Sequence, residues 1–108
     1  MLDRLLFNVR IYYEFNRKGT IMYMLCFHVP QTHVEAVKKA IFDAGAGVMG
    51  EYSHCSWQIL GEGQFKPLEG SNAFIGRVNQ IETIAEYKVE TVCADECLHE
   101  VVEALKQA

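Results

Sequence analysis

The chain has little proline, a single tryptophan and no long apolar run. Two prolines in 108 residues leave nearly all of the backbone free to pair. With a hydrophobic content of 50%, that scarcity excludes a disordered segment. No apolar stretch approaches the length of a membrane-spanning helix. The opening MLDRLLFNVRIYYEFNRKG does not read as a signal peptide: Asp3, Arg10 and Glu14 interrupt it, and no small-residue cleavage site follows. Internal repeats, low-complexity tracts and interdomain linkers are also missing. An excess of positive charge is lacking too. The formal net charge is -4; residues 1–21 hold four basic and two acidic side chains, and residues 22–108 hold six basic and twelve acidic. An acidic body excludes a general nucleic-acid binder. The 4 cysteines lie inside periodic apolar segments and not in a small loop-rich scaffold. Reduced thiols and a cytoplasmic location are therefore expected.

What is present is the patterning of one domain, long enough to bury a core without disulfides. Residues 5–15 alternate: Leu5, Phe7, Val9, Ile11, Tyr13 and Phe15 fall on one face, with Asn8, Arg10, Tyr12 and Glu14 on the other. This is a strand pattern. Asn16 to Gly19 is a polar break suited to a hairpin. Met22–Val29 reads as a second strand, with Tyr23, Leu25, Phe27 and Val29 opposite Met24, Cys26 and His28. Thr32-His33-Val34-Glu35 has the form of a capping box. The helix it opens, residues 32–44, puts Val34, Val37, Ala40, Ile41 and Ala44 on one stripe, and Gly45 suits its C-cap.

Cys55–Leu60 reads as a short strand and residues 61–80 as a long irregular stretch. Ala85, Tyr87, Val89, Thr91 and Cys93 alternate with Glu86, Lys88 and Glu90, as in a half-buried antiparallel strand. Asp95 is placed to cap a last helix, 95–107, with Leu98, Val101, Val102 and Leu105 inward. From residue 22 the order is β-α-β-β-α. The expected fold is α+β: a ferredoxin-like split βαβ with an antiparallel sheet and both helices on one face.

Gly45, Gly47 and Gly50 match the spacing G-x-G-x-x-G. Phosphate binding by that motif needs a strand before it and a helix after it. Here a helix ends at Gly45, and the partial negative charge of its C-terminus repels phosphate. The glycines are read as a cap and a tight turn.

Several strings together resemble the YqfO/Nif-three-like family. They are FHVP at 27–30, HVEAVKKAIFDAGAG at 33–47, Gly50-x-Tyr52-x-His54-Cys55-x-Trp57, GEGQFKPLEG at 61–70, Phe74-Ile75-Gly76 and Glu86-Tyr87-Lys88-Val89-Glu90. The resemblance runs over residues 22–108, about four-fifths of the chain, and points to a free-standing version of that family's small inserted domain. It implies a ferredoxin-like domain similar to the trimeric PII and CutA proteins, with no established biochemical role. The family's dinuclear metal site belongs to larger flanking halves that have no counterpart in this sequence. The family pattern also continues past the last helix with a further strand, which this sequence does not contain. The remaining piece, 1–21, is an N-terminal extension without a recognised counterpart. Its strand 5–15 is expected to take the place of that last strand, antiparallel beside 22–29, with Phe7, Val9, Ile11 and Tyr13 facing the helices.

Catalysis has little to build on. His54 and Cys55 are adjacent, so on a strand they point to opposite faces and form no dyad. Cys26 and His28 share a face and are expected to pack under a helix. Glu82, Glu86 and Glu90 also share one face, where interleaved Lys88 makes a charged surface or interface the simpler reading. Enzyme activity therefore ranks below a binding or assembly role. No cofactor and no metal are expected: Cys93 and Cys97 lack the second ligand pair that structural zinc prefers, and His99 is read as exposed.

The long stretch 61–80 is the strongest functional feature. Loops of this length in compact domains usually bind something or pack on a neighbour. Ligand or interface candidates are Tyr52, His54, Cys55, Trp57, Gly61, Gly63, Phe65, Phe74 and Glu86. The expected function is an oligomeric PII/CutA-like interaction module, a trimer before a dimer, with no nucleic-acid or membrane partner. The alternative is a regulatory domain responding to a small molecule or metal in clefts beside 52–65.

Overall fold

Alternation in the sequence becomes a four-stranded antiparallel sheet, and the two apolar stripes become two helices. In the computed structural model, residues 9–15, 21–70 and 76–108 are described, with the side chains of 13–15 left aside. The elements are β1 (Arg10–Phe15), β2 (Ile21–Pro30), α1 (Val34–Asp43), β3 (Ser56–Phe65), β4 (Glu82–Ala94) and α2 (Leu98–Gln107), the last preceded by a 3-10 turn at Asp95–Cys97. The sheet order is β1-β2-β4-β3, and all neighbours are antiparallel.

The α+β, ferredoxin-like expectation is met. Leu25, Phe27 and Val29 of β2 and Val89 and Cys93 of β4 point to one side of the sheet. There they pack with Val34, Val37 and Ile41 of α1 and Val101 and Leu105 of α2. Both helices therefore cover the same face; of their expected stripes, Val34, Val37, Ile41, Val101 and Leu105 form the core, Ala44, Leu98 and Val102 pack against it, and Ala40 stays outside it. The strand pattern at 5–15 is observed from Arg10 to Phe15, antiparallel beside β2 on the edge foreseen for it. Ile11 shares the side of Leu25, its register partner. The helices do not extend over it, however: Ile11 is 44% exposed and Val9 is exposed as well. The expected covering of this strand by helices is thus corrected. Phe7 and the Tyr13 side chain lie outside the described residues.

Three local expectations fail for identifiable reasons. The capping box does not close. His33 is the N-cap of α1 with no side-chain cap bond, and the Thr32 hydroxyl pairs with His33 Nδ1 at 2.7 Å instead. Asp95 does not cap α2, because its carboxylate accepts a bond from the Tyr23 hydroxyl at 3.0 Å, and Cys97 occupies the N-cap. The strand expected to end at Leu60 runs on to Phe65, so the irregular stretch begins only after it. The C-terminus of α1 follows expectation closely. Gly45 sits at φ 115, its N–H donates to Phe42 O at 3.0 Å, and Ala46 N–H donates to Ile41 O at 3.0 Å, a Schellman closure.

Candidate functional site

The face of the sheet opposite the helices carries most of the candidate residues. Side chains alternate along a strand, so Met24, Cys26 and His28 of β2 point away from the helices. Cys26 and His28, expected under a helix, are on this other face. The register extends the face across the sheet. Cys26, Glu90 and Trp57 form one row, His28, Lys88 and Ile59 the next, and Pro30, Glu86 and Gly61 a third. Tyr12 of β1 adjoins Met24.

No element of the described chain covers this face. Trp57 is 55% and Ile59 53% exposed, although both sit inside a strand. Charges of both signs surround them: Arg10 on β1, Glu82, Glu86, Lys88 and Glu90 on β4. Lys88 Nζ lies 3.8 Å from Glu90 Oε1, a loose surface pair of little energetic weight.

Gly61 and Gly63 belong to this face for a steric reason. A Cβ on Gly63 would lie 2.5 Å from Glu86 Oε1 and 2.8 Å from its Cδ, so the bare glycine backbone makes room for that carboxylate. Glu86 Oε2 and His28 Nδ1 are both buried without a hydrogen-bond partner among the described residues. Beyond Pro30, the pairing of Glu62–Phe65 with Glu82–Ala85 continues as a two-stranded arm. At its end Phe65 and Pro67 pack near Gly76, and Asn79 N–H donates to Pro67 O at 2.6 Å. Part of the stretch 61–80 therefore packs on itself, while Leu68, Val78 and Ile81 remain exposed.

The segment between α1 and β3 splits the remaining candidates. Met49 and Tyr52 exchange backbone bonds of 2.9 Å across a Gly50-Glu51 turn, and Tyr52 is 76% exposed. His54 is not on a strand. It adopts φ 57, a left-handed conformation uncommon outside glycine, and its ring lies 5.1 Å from that of Phe42. With Lys38, Lys39 and Asp43 it borders a hollow on the helix side. Lys39 is tied to Asp43 at 2.7 Å, which raises its pKa through the hydrogen bond and the charge.

Cys55 borders a cleft with Met24, Met49 and Trp57 on the open face, and its thiol donates to Ser53 O at 3.8 Å. The two neighbours border different hollows, with the left-handed turn at His54 between them. Phe74 lies outside the described residues. In all, Trp57, Gly61, Gly63, Phe65 and Glu86 share one face, Cys55 borders it, and Tyr52 and His54 stand apart.

Met24, Met49, Ile59 and Tyr12 complete the surface and were not singled out from the sequence. For Met24 the apolar run on both faces of β2 was the available signal. All four cysteines are free thiols. Cys93 is buried, and burial first, then the nearby Cys97, Glu96, Asp95 and Glu100, pushes its thiol up to about 11. Among the described residues, no group of three or more His, Cys, Asp or Glu side chains is gathered as a metal would require. No described helix is long and apolar enough to cross a membrane.

Comparison with known proteins bears on this fold. No family model matches the chain. It is 44% identical over 81 residues to a GTP cyclohydrolase 1 type 2 homolog of Mycobacterium leprae, covering 75% of this chain and 21% of that one. The identity is 42% over 84 residues with the protein of that name from Halalkalibacterium halodurans, covering 78% of this chain and 23% of the other. The chain thus spans about a fifth of the length of the curated relatives it matches. Among solved structures, a Bacillus cereus protein related to NIF3 aligns at a TM-score of 0.67 and 33% identity, covering 98% of this chain and 28% of that one. Sequence and structure comparisons together support the YqfO/Nif-three-like family, over a segment of its members' length.

Proposed function

We propose that this chain corresponds to the inserted PII/CutA-like domain of that family and works as a homo-oligomeric assembly module, most simply a trimer. The observation that carries this reading is the open sheet face, with Trp57 and Ile59 exposed in mid-strand. A sheet that packs helices on one side and leaves a mixed apolar surface on the other is completed by a second layer. A second copy of the chain is the occupant that the charges favour, because Arg10 and Lys88 stand on the same face as Glu82, Glu86 and Glu90. In this reading the arm formed by Glu62–Phe65 and Glu82–Ala85 reaches a neighbour and shields an edge.

The test is size-exclusion chromatography of the chain beside Trp57→Asp and Ile59→Asp. Both variants should elute later than the parent while keeping its circular dichroism. Unchanged elution of both would overturn the reading.

A second reading, a regulatory domain for a small molecule, is favoured by the cleft of about 260 Å³ beside Trp57. A thermal-shift screen with nucleotides, common metabolites and divalent metals tests it. A saturable shift supports it, and flat responses throughout count against it.

A further inference from the structure

We infer that the hollow between α1 and the start of β3 is a binding site for a small molecule's oxyanion, a phosphate or carboxylate group, held by Lys38, His54 and Ser56. The hollow, of about 320 Å³, lies on the helix side of the sheet, away from the face proposed for assembly. The inference therefore goes beyond that reading and does not depend on it. Contacts on the page tie the walls together. Lys38 and Phe42 stand one turn apart and share a flank of α1. The Phe42 ring meets the His54 ring at 5.1 Å. Ser56 opens β3 two residues later, and alternation turns it away from Trp57, toward the helices.

The donors in these walls are unused. The Lys38 side chain is 17% exposed, against 77% for Lys39, yet its Nζ makes no hydrogen bond among the described residues. Its carboxylate neighbour, Glu35 Oε1, lies 3.6 Å away on a side chain that is 79% exposed. An ammonium so far withdrawn from water, with so loose a partner, is short of acceptors. The Ser53 hydroxyl pairs with His54 Nδ1 at 2.9 Å. A ring that accepts the Ser53 proton there carries its own proton on Nε2, which has no partner among the described residues. The Ser56 hydroxyl has none either. Asp43, also in the wall, cannot supply the missing acceptor, because Lys39 holds it at 2.7 Å. An oxyanion accepts from all of these donors, and its charge-assisted bonds to Lys38 are the strong ones. It displaces Glu35, whose exposed pair costs little to give up. The negative end of the α1 dipole is no obstacle. The N–H groups of Ala44, Gly45 and Ala46 take up the last carbonyls, and Lys38 stands more than a turn earlier, where that field has fallen off.

The experiment records amide-resolved NMR spectra of the full chain, at constant ionic strength, during titration with inorganic phosphate, phenyl phosphate and benzoate. Light scattering in parallel judges assembly separately. The expected result is a saturable shift of the amides around Lys38, Phe42, His54 and Ser56. Saturation by the phosphates alone assigns a phosphate site, and saturation by benzoate alone a carboxylate site. Lys38→Met, which keeps most of the stem and removes the charge, should weaken binding about tenfold or more. His54→Asn, which tolerates the left-handed backbone, should weaken it about threefold or more. Glu35→Gln, a change on an exposed side chain, should tighten it about twofold by removing the competitor for Lys38. Lys106→Met, on α2, should leave it intact, which separates local contact from net charge. The inference is overturned if none of the three anions gives a saturable shift, if Lys38→Met titrates like the parent, or if Glu35→Gln weakens binding. The Glu35 arm decides the matter even if Lys38→Met does not fold.

Discussion

Ile11 lies directly opposite Leu25 in the β1–β2 pair, yet Leu25 is 1% exposed and Ile11 44%. The two side chains point to the same side of the sheet, and the helical layer covers only one of them. The strand β1 thus satisfies the backbone edge of β2 without joining the core. Replacing Leu25 by Ala should cost about 2–5 kcal/mol, as for a buried aliphatic. Replacing Ile11 by Ala should cost less than about 1 kcal/mol. Urea denaturation of the two variants checks the contrast, and equal losses would place β1 inside the core.

Gly47 is the glycine whose replacement should be least tolerated. It sits at φ 86, and a Cβ there would lie 2.9 Å from Phe42 Cε1 and 3.0 Å from the Cys55 backbone nitrogen. Its own N–H donates to Val92 O at 2.7 Å, so the backbone cannot retreat without breaking that bond. Gly47→Ala should destabilise by about 1–3 kcal/mol. Gly50→Ala meets no atom within 4 Å and bears only the cost of its φ of 57. Thermal melts should therefore rank Gly47→Ala well below Gly50→Ala.

Cys93 gives the fold a dependence on alkaline pH. Its thiol is raised from 9.0 to about 11, chiefly by burial. The unfolded chain loses this proton first as pH rises, so it binds fewer protons than the folded chain between those values. The contribution of Cys93 is therefore fully present below pH 9 and is lost as pH climbs through about 11. The thermal midpoint should fall across that window, and more shallowly in Cys93→Ala. Identical slopes in parent and variant would contradict the assignment.

Much of the fold was legible in the sequence because burial is periodic in it. Leu25, Phe27 and Val29, then Val34, Val37 and Ile41, follow strand and helix spacing and all enter the core. The end of β3 was not legible. Gly61 and Gly63 have the composition of a loop, and only the seating of the Glu86 carboxylate over Gly63 shows why a strand uses them. Thr32 and Asp95 had the right chemistry for caps but found nearer or stronger partners in His33 and Tyr23. Sequence spacing cannot register that competition. The left-handed turn at His54 was equally hidden, since no glycine marks it. Of the candidate site, Trp57, Gly61, Gly63 and Phe65 could be named from composition, but their alternation on one strand could not, because the strand was expected to end at Leu60. Missing was the knowledge that, among the described residues, the face they share has no helix on it.

That bare face underlies the proposed function, and light scattering of the unmodified chain from low to high micromolar concentration tests it most directly. The account predicts a particle of more than one chain, with three as the expected number, persisting across the range. A particle of one chain at high micromolar concentration would contradict it.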